Sequence, residues 1–291
     1  MSADALEAPL ARSRRSALWT GIRRNPTITI GLAIMLALVA VAVFAPYLGT
    51  VDPMKINPIQ RLREPSAKHW FGTDHLGRDL YSRVLYGSRV SLQVGIAVAL
   101  VATTIGTVIG LVAGFVRWVD AIVMRIMDGL MAVPGVLLAI ALMALTKASL
   151  ETVVIAIVLP EVPRIVRLVR SVVLSLREQP FVEAAEAIGT RFHRLLWRHI
   201  LPNAVAPLIV QATYICASAM ILEAILSFLG AGTPPSIPSW GNIMAEGRQF
   251  VSRAFWILGF PGLFLTLTVL AVNLLGDGFR DMLDPRMRRR L

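Results

Sequence analysis

The side chains able to do chemistry in this 291-residue chain are few and scattered. The densest polar stretch is EAAEAIGTRFHRLLWRHILPN, residues 183–203, set between strongly apolar segments. His193 and His199 within it are six apart, a spacing that does not place two ligands on one helical face, so no metal pair is expected there. Asp74, Arg78 and Asp79, with His69 and His75, invite a metal or catalytic reading. The plainer reading is an outer amphipathic helix with internal salt bridges. Arg125 and Asp128 are three apart, share a helix face and can pair, and with Asp120 they form a structural charge cluster at the inner surface. Glu223 stands alone in an apolar run, which is expensive in lipid, so it must face protein or a cavity. It either faces a cavity or pairs within a subunit interface.

No nucleophile–base or metal-ligand set falls at the depth of the apolar segments, and no G-x-x-x-x-G-K loop exists to cradle phosphates. The chain is therefore expected to be no enzyme and to need no cofactor or metal. A chain without such a loop does not bind ATP in that manner.

The elements that carry these residues are membrane elements. The chain is 56% hydrophobic and only 16% charged, outside the range of soluble domains. An all-α polytopic membrane protein of about six spans follows from the length. The net charge of +11 is almost wholly arginine, since Lys55, Lys68 and Lys147 are the only lysines. Arginines flanking apolar runs mark a cytoplasmic membrane face and anionic lipid rather than nucleic acid. The single cysteine, Cys216, excludes an internal disulfide. SRRSAL at 13–18 faintly resembles a twin-arginine export signal, but the following apolar run is too long and reads as an uncleaved first span.

Apolar stretches at 28–48, 91–116, 129–146, 203–229 and 254–275 are each long enough to cross, the third beginning nearer Asp120. A further span over 152–176 is interrupted by Glu161 and two prolines, and Arg164, Arg167 and Arg170 recur on it, snorkelling toward an anionic surface. Six spans put both termini on one side. Arg12, Arg14, Arg15, Arg23 and Arg24, then Arg280, Arg286 and Arg288 to Arg290, and in the middle loop Arg177, Arg191, Arg194 and Arg198, make that side cytoplasmic. The expected organisation is a cytoplasmic tail at 1–27, a first transmembrane helix at 28–48, an external loop at 49–90, a core at 91–276 containing a cytoplasmic loop at 177–202, and a cytoplasmic tail at 277–291. The basic loop at 49–90 runs against the charge rule. Gly106, Gly110 and Gly114 form a small-xxx-small stripe suited to close helix packing.

The segment at 183–203 reads as a helix–turn–helix knob. Glu183 to Ile188 form a helix after Pro180, Gly189 permits a turn, and Arg191 to Ile200 form a second helix that Pro202 ends. Phe192, Leu195, Leu196 and Trp197 fall on one side of that helix, an apolar face suited to docking another protein.

Glu183, Ala184, Ala185, Gly189, Leu201 and Pro202 at this spacing resemble the EAA loop of bacterial ABC importer permeases, with His199 at a position that is usually apolar. GTDHLGRDLYSRVLYGSRVSL (72–92), PSWGN (238–242) and NLLGDGFRDMLDPR (273–286) resemble segments of the oligopeptide, dipeptide and nickel permeases, in particular the C-type subunit. The resemblance implies a type I importer permease fold in a bacterial inner membrane, paired with a homologous second permease. It further implies two ABC ATPase subunits below, an external peptide-binding protein above, and a peptide substrate, with a nickel or other small-solute importer as the alternative. Glu183, Ala184, Ala185, Gly189, Arg191, Phe192, Leu195, Leu201 and Pro202 would then couple to the ATPase, and Glu223 is the candidate for the translocation path. An ion-coupled secondary transporter is the competing class, but no internal repeat is visible.

Overall fold

The computed structural model describes residues 25–283, and among them the only extended pairing is an isolated antiparallel bridge between Thr73 and Asp79. The arginines expected to orient the tails, Arg12 to Arg24 and Arg286 to Arg290, lie outside the described residues.

Helix α1, Pro26–Phe44, starts on a proline whose missing N–H is no loss in a first turn. Helix α2, Leu80–Phe115, is 36 residues long, about 54 Å, and so exceeds the hydrocarbon thickness. It starts at Leu80 rather than 91 because Asp79 accepts a hydrogen bond from the Ser82 amide and caps the first turn. The final residues of the expected loop 49–90 are therefore helical.

The third expected span is broken. Helices α3, Arg117–Ala132, and α4, Gly135–Ala144, meet at 87°. Pro134 forces Val133 into an extended conformation, φ −96° and ψ 130°, and cannot continue the hydrogen-bond ladder. Helix α5, Leu150–Arg177, opens on a capping box between Ser149 and Thr152 and contains Pro160 and Pro163.

After α5 come α6, Pro180–Ala187, and the four-residue α7, Phe192–Leu195. A π turn over Leu196–Ile200 then carries the chain without a break into α8, Leu201–Phe228. The second helix of the expected knob is thus not ended by Pro202. The wider turn absorbs the proline, with the Leu201 amide reaching back to the Leu196 carbonyl. Helices α9, Trp240–Gly247, and α10, Trp256–Leu283, complete the order.

Among the described residues, four segments are long and apolar enough to cross a membrane: α1, α2, the α7–α8 run and α10. The bent α3–α4 pair is a fifth if counted as one crossing. Helix α5 falls short by hydropathy because Glu161, Arg164, Arg167 and Arg170 break its apolar run. The main core joins α2, α5 and α8 through fully buried Val98, Ala102, Ile165, Val169, Ile215 and Leu226. The glycine stripe is at its centre. A Cβ on Gly106, Gly110 or Gly114 would lie 2.5, 2.7 and 2.7 Å from the Cβ atoms of Ile165, Val169 and Val173. Helices α1 and α10 meet the same way, Gly31 against Leu274 at 2.9 Å.

Candidate functional site: a polar knob and a helix-lined cleft

The knob is anchored by a small core of its own. Val182, Ala185 and Leu195 are buried against Phe115, the last residue of α2, and Phe192 meets the Phe115 ring edge-on at 5.2 Å. Gly189, at φ +78°, lets α6 end in a Schellman motif, its amide donating to the Glu186 carbonyl at 2.8 Å and that of Thr190 to Ala185 at 3.0 Å. This is the turn expected at that glycine.

The expected apolar face is divided. Leu195 and Leu196 point inward, at 1% and 5% exposure, while Phe192 and Trp197 remain 43% and 60% exposed. Ile188, 84% exposed, and Phe181 join them, and neither was legible as part of that face. Of the other motif residues, Ala185 is buried, Leu201 is half-buried, and Glu183, Ala184, Arg191 and Pro202 are exposed. Among the described residues, the side chains of Glu183, Arg191, Arg194 and Arg198 have no hydrogen-bond or ion-pair partner.

The α5 arginines behave differently from the expected snorkelling. Arg170 donates from both Nε and Nη2 to Asp120, the latter at 2.7 Å, Arg167 donates to Asp128 at 2.5 Å, and Arg164 pairs with Glu161. Asp128 thus pairs across to α5, not with Arg125, which is exposed. Two α3 carboxylates tie the bent pair to α5.

At the bend between α3 and α4, beside α5 and α8, a cleft of about 460 Å³ opens. Pro134 and Gly135 form its corner, Pro160, Glu161 and Arg164 its α5 wall, and Tyr214, Ser218 and Ile221 its α8 wall. Glu223, the residue singled out for a path, is not in this lining. It is 1% exposed, and its Oε1 accepts from Ser227 at 2.9 Å, Ser239 at 2.8 Å and Thr233 at 3.4 Å. Those bonds pin the loop before α9 to the end of α8. In sequence Glu161 reads as an interruption of the span and Arg164 as a snorkelling arginine, so neither points to a cleft.

On the opposite end sits a buried charge cluster. Asp74 Oδ2 accepts from Arg78 Nε at 2.6 Å and Arg83 Nη1 at 2.7 Å, and both arginines also donate to Glu246. Burial opposes ionisation of Asp74, but Arg83 and Arg78 outweigh it and hold its carboxyl below the usual range. The expected salt bridges are present, but residues 72–79 form no helix; Gly72 and Gly77 take positive φ and shape a tight loop. Asp74, His75 and Glu246 present ligand atoms within 4.8 Å of one another, yet two guanidiniums already hold the carboxylates, a donor set that does not suit a cation.

These features define an all-helical membrane protein with several apolar helices of spanning length, and comparison with known proteins gives its family. Residues 106–289 match the family described as binding-protein-dependent transport system inner membrane component, and residues 13–65 match the N-terminal TM domain of oligopeptide transport permease C. The chain belongs to this family of ABC transporter permeases. It is 53% identical over 92% of both chains to a probable peptide ABC transporter permease of Sinorhizobium fredii. It is 45% identical to a dipeptide transport system permease of Alkalihalophilus pseudofirmus, covering 92% of this chain and 88% of the relative. An inward-facing structure of the MetNI methionine ABC transporter shares the fold, with TM-score 0.52 and 20% identity, over 66% of this chain and 94% of that one.

Proposed function

We propose that this chain is one permease half of an ATP-driven peptide importer in a bacterial inner membrane, working with a homologous second permease, two ATPase subunits and an external peptide-binding protein. ATP hydrolysis belongs to the ATPase subunits. The observation that carries the reading is the knob, where Glu183, Arg191, Arg194 and Arg198, without partners among the described residues, and exposed Ile188, Phe192 and Trp197 stand on a glycine turn braced by Phe115. A surface with exposed aromatic area beside charges that have no partner among the described residues suits a protein groove.

Movement of that groove on ATP closure would turn the knob, and through Phe115 and Leu195 the turn would reach α2 and α8. The cleft between the α3–α4 bend, α5 and α8 would then open to alternate sides. In this reading α5 crosses as the sixth span, its charges turned to the cleft and to α3, and both termini face the cytoplasm. A mixed apolar and polar lining without histidine or thiol supports a peptide cargo over a metal ion.

The test is a pull-down of the tagged chain from mild-detergent membranes with mass spectrometry of what accompanies it. Recovery of a second permease with ATPases is the expected result, and recovery of the chain alone from an intact host would overturn the reading. Cysteines replacing Gln60 and Arg280 should label from opposite sides; labelling from one side would overturn the six-span topology.

A further inference from the structure

Three arginines of α5 differ in how they use their donors. Arg170 gives its Nε–Nη2 edge to both oxygens of Asp120, the fork-to-fork geometry in which a guanidinium holds a carboxylate best. Arg164 holds Glu161 through Nη1 alone, at 3.2 Å to Oε1 and 3.1 Å to Oε2. Its Nε and Nη2 have no partner among the described residues. The Arg164 side chain is 46% exposed and lines the cleft, whereas the Glu161 side chain beside it is 7% exposed. The free edge of Arg164 is thus the edge that Arg170 fills with a carboxylate.

The surroundings limit what can fill it. Glu161 offsets the arginine's charge, so the site suits one added negative charge rather than a dianionic phosphate. Val133, Val136, Ile221 and Leu222 make most of the remaining wall apolar, and Tyr214 and Ser218 supply hydroxyls opposite. A cleft of about 460 Å³ has room for a few residues of peptide.

We propose that the Nε–Nη2 edge of Arg164 receives the C-terminal carboxylate of a short peptide in the cleft, with Glu161 as the positioning residue that fixes the guanidinium. This rests on the reading of the cleft as the peptide path. Replacing Arg164 by Gln removes the charge and the fork; replacing it by Lys keeps the charge and loses only the fork.

The experiment measures cleft occupancy directly. Ser218→Cys is introduced in a Cys216→Ala background, the chain is purified in lipid nanodiscs with its accompanying subunits, and maleimide labelling of the introduced thiol is timed. Trialanine and its C-terminal amide are the protecting probes. With Arg164 present, the free acid should protect at roughly tenfold lower concentration than the amide, the size of one charge-assisted hydrogen-bond pair. In Arg164→Gln the two should protect equally, and Arg164→Lys should fall between. Glu161→Gln should lower the acid-to-amide ratio because the guanidinium is no longer held, and an unchanged ratio would remove its positioning role. The acid-to-amide ratio is internal to each preparation, so a poorly assembled variant does not distort it. Equal protection with Arg164 intact would overturn the carboxylate assignment and leave the path reading standing. No protection by either probe would remove the path reading, and the proposal with it.

Discussion

Arg83, in the first turn of α2, donates from Nη1 to Glu246 of α9 at 2.6 Å and to Asp74 at 2.7 Å, joining residues 163 positions apart in one buried contact. The loop before α2 and helix α9 are thereby locked together. Trp256 adds to the lock by donating to the Thr73 carbonyl at 3.2 Å.

Asp74→Ala should destabilise the protein by about 3–5 kcal/mol, because it leaves Arg78 and Arg83 buried with one fewer counter-charge. Glu246→Gln, on the more exposed partner, should cost clearly less. Thermal unfolding in detergent reads both, and equal losses would show that burial does not grade the cluster.

The same cluster makes stability depend on pH through His75, which stacks on Phe250 at 5.4 Å. Burial pushes the His75 imidazole below its ordinary value of 6.5, and the nearby Arg78 and Arg83 add to this against Asp74 and Glu246. The unfolded chain then binds more protons than the folded one, so stability falls as pH drops below about 6.5. Asp74 acts in the same direction further down, its contribution being lost only as pH falls below the ordinary 3.8. His75→Phe should flatten the stability profile between pH 7 and about 5, where Asp74 stays ionised. An unchanged slope there would rule out His75 as the source.

The glycine stripe should separate from other helix glycines. Gly110→Ala forces a Cβ to 2.7 Å from Val169 and should cost about 1–3 kcal/mol. Gly129→Ala, in α3 with nothing within 4 Å, should instead stabilise by about 0.5–1 kcal/mol. Melting temperatures of the two variants should shift in opposite directions.

Gly189→Ala places a side chain at φ +78° and should cost the knob about 1–2 kcal/mol. Membrane insertion should survive while peptide uptake falls. Normal uptake by the bulkier Gly189→Pro variant would sink the coupling role. Glu183→Ala should reduce co-purification of ATPase subunits, since that carboxylate has no partner among the described residues to lose.

Local patterns were readable where one helix or one turn carries the whole meaning. The EAA spacing and Gly189 lie within a few residues of each other, and the stripe Gly106, Gly110, Gly114 needs only helical periodicity to be seen. Glu223 was visible as a buried carboxylate, but its partners Ser239 and Thr233 come from a loop that folds back over α8. Its role as a post for that loop, rather than a lining of the cleft, was therefore not readable. Glu161 and Arg164 were hidden for the opposite reason. They lie in plain view as charges in a weak span, and only the 87° turn at Pro134 opens a cleft beside them.

By itself the sequence determined that this is a helical membrane protein of the ABC importer permease family, because hydropathy and the EAA spacing are local properties. Tertiary structure decided which charges meet. Arg170 finds Asp120, Arg83 finds Glu246, and Arg164 is left with a free edge, outcomes set by how helices distant in sequence pack. In a low-dielectric interior each charge must be matched in space, and the chain's order does not encode distance across the fold.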